Sequence, residues 1–230
     1  MGVAMLDLYC QAILFDMDGV LVDSTACVER HWLAWATRHG LDFQHIMAIS
    51  HGQRALDTMY AVASGRGLDL EQETLVFEEG QARDLVGIVA LPGALDLLSA
   101  LPPTRWAIVT SATLGMATAR LGAIGLPIPP VFVTAEKVSL GKPHPEGYLQ
   151  AAHALGVAPG ACLVIEDAPA GIQAARAGGI RVLAVTTTFS AEHLQAADAV
   201  TAGLHAVHLV EEDASTPFPS ELHLRIGLDE

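Results

Sequence analysis

The chain has 230 residues, 51% of them hydrophobic, with 12 basic against 26 acidic side chains and a formal net charge of −14. That is apolar material for one large domain, or for a core carrying a smaller inserted one. An acidic chain without a basic run argues against nucleic acid, while a small anionic substrate stays open because the charge of a cleft can oppose the global sign.

In chain order, the N-terminus has no basic signal-peptide region, and Asp7 interrupts its apolar stretch. Leu6 stands where a myristoylation signal needs Ser or Thr. The first strand is expected at Ala12–Phe15 and runs straight into Asp16, Asp18 and Gly19. Side chains alternate along a strand, so Asp16 and Asp18 share one face if the strand continues through them. Two such carboxylates repel unless a cation sits between them.

From Ser24 to about Ile88 the pattern is helical, at roughly Ala26–His39, Gln53–Ser64 and Glu71–Val86, with Trp32, Trp35 and Ala36 on one helical face. The chain re-enters the core at Leu91-Pro92-Gly93. Strands then follow at Trp106–Val109, Val131–Val133, Cys162–Ile165 and Val182–Val185. Helices at Leu114–Ile124, Pro145–Leu155 and Ala168–Ala177 separate them, each stopped by Gly125, Gly156 or Gly178. The polar, proline-bearing stretch Glu211–Pro219 reads as a loop before a last short strand or tail. No window of about 18 apolar residues marks a membrane span.

Alternating strands and helices imply an α/β fold: a Rossmann-like parallel-sheet core with helices on both faces, plus an inserted all-helical cap domain. The core is expected over residues 1–23 and 89–230, the helical cap over 24–88. The three cysteines, Cys10, Cys27 and Cys162, are far apart with no CxxC spacing. They make a disulfide framework or zinc site unexpected and fit a reduced cytoplasm.

Ligands of an open parallel sheet bind beyond the carboxyl ends of its strands. Those ends carry Asp16 and Asp18, then Thr110-Ser111, then Lys142 in "GKPHP", then Glu166-Asp167. Singly, each has an ordinary use as a turn former, a helix cap or a solvated lysine. Together they form a set of oxygens for a hard cation, with a hydroxyl and an ammonium for a phosphoryl group.

At these residues the sequence resembles the haloacid dehalogenase superfamily of aspartate-nucleophile phosphotransferases. "FDMDGVLVDS", "IVTSAT", "LGKPHPEGYLQAA" and "VIEDAPAGIQAARAGG" resemble its four motifs, and the insert resembles its C1 cap. The resemblance implies Asp16 as nucleophile and Asp18 as the residue that protonates the leaving oxygen and later deprotonates water. It implies Ser111 as a phosphate ligand and Lys142 as the neutralising cation. Mg²⁺ is expected on Asp16, the main-chain carbonyl of Asp18 and Asp167, with Glu166 acting directly or through water. Dehalogenases of the superfamily lack an acid where this chain has Asp18, which favours phosphate chemistry.

The cap stretch "ISHGQRALDTM" resembles that of glycerol-3-phosphatases, 2-deoxyglucose-6-phosphatases and related sugar phosphatases. His51, Gly52 and Arg54 are therefore the expected substrate-binding residues of the cap, alongside Gln53 in the same loop. The expected partner is a small phosphorylated sugar or polyol, with no nucleic acid and no membrane, and the expected state is a monomer or weak dimer. A β-phosphoglucomutase-like sugar-phosphate mutase and a non-catalytic phosphate-binding protein are the alternatives.

Overall fold

The structure, a computed structural model, describes residues 4–210 and 221–228; the stretch 211–219 lies outside the described residues. Strands β1 (Ala4–Cys10), β2 (Ala12–Phe15) and β3 (Val22–Asp23) precede four helices, α1 (Thr25–His39), α2 (Phe43–Ser50), α3 (Ala55–Ala63) and α4 (Leu70–Arg83). Then come β4 (Val89–Ala90), α5 (Ala94–Ala100), β5 (Trp106–Val109), α6 (Leu114–Ala123), β6 (Phe132–Val133) and α7 (Glu146–Leu155). The chain continues through β7 (Cys162–Glu166), α8 (Pro169–Ala177), β8 (Arg181–Val185), β9 (Ala199–Thr201), β10 (Val207–Leu209) and β11 (Leu222–Leu228).

The main sheet is parallel throughout, in the order β6-β5-β2-β7-β8-β9. Strand β2 lies between β5 and β7, with Ile13 opposite Trp106 and Leu163. It is buried on both faces, which is why its four residues are all apolar. Ile13 and Phe15 point into one core, with Leu97 and Leu98 of α5 and Met116 and Leu121 of α6. Ala12 and Leu14 point into the other, with Tyr148 of α7 and Ile172 of α8. The fold is thus the α/β, Rossmann-like arrangement that the alternation implies.

Several elements have no counterpart among the expected ones, among them the short β3, β4 and β9 and helix α5. The N-terminal strand β1 pairs antiparallel with the C-terminal β11, Ala4 opposite Leu228 and Cys10 opposite Leu222, and β10 completes a second, three-stranded sheet. Helix α2 is started by Asp42, whose side chain accepts from Gln44 N–H and His45 N–H at 2.9 and 3.3 Å.

Helices α1–α4 enclose a separate core of Trp32, Trp35, Ile46, Met59 and Phe77. The strands on either side of them, β3 and β4, pair antiparallel, so the two connections to this helical insert run side by side. Among the described residues, no helix is long and apolar enough to cross a membrane, and the three cysteines are buried free thiols.

Candidate active site

Strand β2 ends at Phe15, and Asp16 extends its pairing by one bond, donating its N–H to the Ile165 carbonyl at 3.0 Å. The chain then turns back on itself, with the Met17 carbonyl accepting from Leu21 N–H at 2.8 Å and Val22 N–H at 3.0 Å. Gly19 sits in this turn at φ +82, and a Cβ there would lie 2.0 Å from an Asp167 oxygen. Both reasons reserve the position for glycine.

The turn brings together what the strand ends carry. Lys142 Nζ lies 2.8 Å from Asp16 Oδ1 and 2.6 Å from Glu166 Oε1. Glu166 is completely enclosed. Its Oε1 also accepts from the Tyr148 hydroxyl at 2.9 Å, and its Oε2 from the backbone N–H groups of Asp167 and Ala168 at 2.9 and 3.0 Å. Asp16, Glu166 and Asp167 present carboxylate oxygens within 4.8 Å of one another.

All three carboxylates are buried, and Lys142 is the one ammonium among them. Burial pushes Asp16 up to about 7 and the Glu166 charge adds to the rise, while Lys142 opposes it. Asp167 is also raised, by burial first and then by Glu166 and Asp16. For Lys142, burial works to strip the proton, but the Asp16 and Glu166 carboxylates outweigh it and keep the ammonium charged. An all-oxygen donor set with unbalanced negative charge fits a hard divalent cation.

Asp18 lines the same cavity as Asp16, but its carboxylate is engaged. Arg120, buried in α6, donates Nη1–H to Asp18 Oδ1 at 2.8 Å and Nη2–H to Gln81 Oε1 of α4 at 2.6 Å. Ser111 also lines the cavity, and its hydroxyl donates to the Gly52 carbonyl at 2.8 Å. That bond seats the loop after α2 on the core. Gly52 has φ +76, and a Cβ there would meet the Ala168 Cβ at 2.9 Å, so the approach requires glycine.

The cavity between sheet and insert measures about 110 Å³. His51, Gly52 and Gln53 line it, with the His51 ring edge-on to Phe189 at 5.5 Å. Arg54 faces elsewhere. Its guanidinium grips both oxygens of Asp57, at 2.7 and 3.0 Å, and donates to the carbonyls of Val138 and Ser139 at 3.4 Å. Arg54 thereby ties the insert to the loop that leads to Lys142 and lines a second, smaller pocket with Ser111 and Lys142.

Arg54→Ala is accordingly expected to cost about 1 kcal/mol of stability. It should reduce kcat/KM by similar factors on a polyol phosphate and on p-nitrophenyl phosphate. Thermal unfolding and parallel kinetics check this; a loss confined to the polyol ester would return Arg54 to substrate contact.

Ser50, Glu78, Gln81, Arg120 and Thr188 also line the cavity and are not among the residues expected from the motifs. Arg120 and Gln81 nevertheless carry a signal in the sequence: each is a polar residue at a buried-stripe position of its helix, beside Met116, Ala117 and Leu121 in α6 and after Thr74 and Phe77 in α4.

A model of haloacid dehalogenase-like hydrolases matches residues 10–179. The chain belongs to the haloacid dehalogenase-like hydrolase family. Within it, the chain is 43% identical over 206 residues to hexitol phosphatase A of Escherichia coli K12, covering 88% of this chain and 95% of that one. It is 33% identical over 227 residues to glycerol-1-phosphate phosphohydrolase 1 of Saccharomyces cerevisiae, covering 92% and 89%. Among solved structures, a hydrolase from Pseudomonas syringae superposes with TM-score 0.76 at 28% identity, over 85% of this chain and 94% of that one. A β-phosphoglucomutase from Clostridium difficile shares the fold, with TM-score 0.69 at 22% identity over 85% and 92%.

Proposed function

We propose that this chain is a Mg²⁺-dependent phosphatase that hydrolyses a small sugar or polyol monophosphate through an aspartyl-phosphate on Asp16. The observation that carries this is the buried group of Asp16, Asp167 and Lys142 at the strand ends, beside a cavity roofed by the helical insert. The phosphatase class is further supported by the hexitol and glycerol-1-phosphate phosphatases named above.

In this mechanism, Asp16 attacks phosphorus and the bond from phosphorus to the sugar or polyol oxygen breaks. Asp18 gives the departing oxygen its proton, which requires its carboxylate to turn from Arg120. Asp18 then takes a proton from the water that attacks the aspartyl-phosphate, releasing inorganic phosphate and restoring Asp16. Ser111, released from the Gly52 carbonyl, donates to a phosphoryl oxygen, and Lys142 neutralises charge between Asp16 and the phosphoryl group. Asp16, Asp167 and the main-chain carbonyl of Asp18 would hold Mg²⁺. Glu166, its oxygens already engaged, would reach the ion through water. When bound, the ion supplies positive charge against the phosphoryl oxygens. Residues 24–88 act as a cap that excludes water, over a core formed by 1–23 and 89–230.

The test is a screen of sugar and polyol phosphates that reads both released phosphate and sugar isomers. Phosphate should appear in step with substrate loss, exhaustive chelation should abolish turnover, and added Mg²⁺ should restore it. Full activity after chelation would remove the metal. Conversion of one sugar phosphate to its isomer without phosphate release would make the protein a mutase.

A further inference from the structure

Tyr148 is a buried phenol that the mechanism above does not use. It sits on α7, and its ring belongs to the core that holds Leu14 of β2, Val109 of β5 and Val164 of β7. The strands that deliver Asp16, Ser111 and Glu166 therefore fix its place. The hydroxyl leaves this apolar surround at one point, donating to Glu166 Oε1 at 2.9 Å. Burial first, then the Glu166 and Asp16 charges, raise the phenol well above its ordinary range, so it keeps the proton that it donates.

Glu166 has no freedom to move. A carboxylate offers about four lone-pair sites, and here each is taken. Oε1 accepts from Lys142 and Tyr148, and Oε2 from the N–H groups of Asp167 and Ala168. Helix α8 closes the remaining side, where a Cβ on Gly171 would lie 1.5 Å from Oε1. Lys142, by contrast, is a long side chain with a freely turning ammonium. Glu166 and Asp16 take one N–H each, at 2.6 and 2.8 Å, and Nζ lies 5.1 Å from the centre of the Tyr148 ring, within cation–π range. The remaining N–H is left for a phosphoryl oxygen.

We infer that Tyr148 is a positioning residue: its hydroxyl locks Glu166 Oε1 and its ring supports the ammonium, so that Lys142 is aimed at the junction of Asp16 and the phosphoryl group before substrate arrives. The inference rests on the phosphatase reading and adds to it a residue that does not line the larger cavity. Without the hydroxyl, Oε1 would have Lys142 as its sole donor and would draw the ammonium away from Asp16.

Tyr148→Phe tests this, because it keeps the ring and the volume and removes only the hydroxyl. Variant and wild type are compared on p-nitrophenyl phosphate with Mg²⁺ present. The kcat of the variant should be lower by roughly tenfold while KM moves by less than about threefold, because alignment of Lys142 matters most where charge develops. Orthovanadate, which takes up the trigonal-bipyramidal geometry of phosphoryl transfer, should bind the variant about tenfold more weakly. Inorganic phosphate, the product, should lose less than about threefold. A packing defect alone would weaken both alike. An unchanged kcat in Tyr148→Phe would overturn the inference, as would vanadate and phosphate affinities that change alike or not at all. An unfolded Tyr148→Phe would make the hydroxyl an anchor of the fold and overturn it too. No phosphate release by the wild type from p-nitrophenyl phosphate or any polyol phosphate, with Mg²⁺ present, would sink the phosphatase reading and the inference with it.

Discussion

Asp16→Asn is expected to leave a folded protein whose turnover falls by on the order of 10⁴-fold or more, the scale seen when a covalent nucleophile is removed. Asparagine keeps the shape of the side chain, so the packing around this nearly enclosed position is preserved. It loses the charge that attacks phosphorus. The effect on stability should be small and of either sign. The ion pair to Lys142 at 2.8 Å is lost, but Lys142 keeps Glu166 at 2.6 Å, and one of three crowded buried carboxylates disappears. Phosphate release from a polyol monophosphate and from p-nitrophenyl phosphate should fall together, while the thermal midpoint in chelator stays near that of the wild type. Wild-type-like phosphate release from well-folded Asp16→Asn would take the nucleophile's role away from this residue.

The parts of this site that were legible in the sequence are those fixed by strand ends. Cys162–Ile165 and Val182–Val185 are continuously apolar because both faces of the parallel sheet are covered, and whatever follows such a strand must emerge at its carboxyl edge. Asp16, Ser111 and Asp167 could therefore be placed near one another before any coordinates, and Lys142 with them. What escaped depended on distant parts of the chain. β1 has no local partner; Asp7 interrupts its apolar run because that residue faces His223 and Arg225 of the C-terminal strand. The seven-residue helix α5 is too short for its periodicity to stand out beside Leu91-Pro92-Gly93. In the loop after α2, neighbouring residues diverge, Gln53 to the cavity and Arg54, the N-cap of α3, to Asp57 three residues on. Arg120 and Gln81 interrupt apolar stripes in two helices that are far apart in sequence. Their pairing at 2.6 Å across the junction of core and insert is a tertiary fact that neither stripe contains.

Lys142→Met should be the most destabilising single change at the site, by about 3–5 kcal/mol, the range for removing one partner of a buried ion pair. Lys142 is 7% exposed, held between Asp16 and Glu166, with its ammonium 5.1 Å above the Tyr148 ring. Methionine replaces most of the volume, so the loss is chiefly electrostatic: three buried carboxylates would remain with no ammonium among them. That origin predicts a rescue. Glu166→Gln in the Lys142→Met background removes one of those charges and keeps the local hydrogen bonds. The amide oxygen can take the Asp167 and Ala168 N–H groups that Glu166 Oε2 now accepts, and the amide nitrogen can donate to the Tyr148 hydroxyl. Denaturant unfolding in the presence of chelator should show the double variant regaining at least about half of the lost stability. Its turnover should stay abolished, because nothing then neutralises the charge between Asp16 and the phosphoryl group. Stability unchanged in Lys142→Met would mean that the ammonium is not needed to hold the carboxylates together. Recovery of turnover in the double variant would mean that Lys142 serves only to offset Glu166 and takes no part at phosphorus.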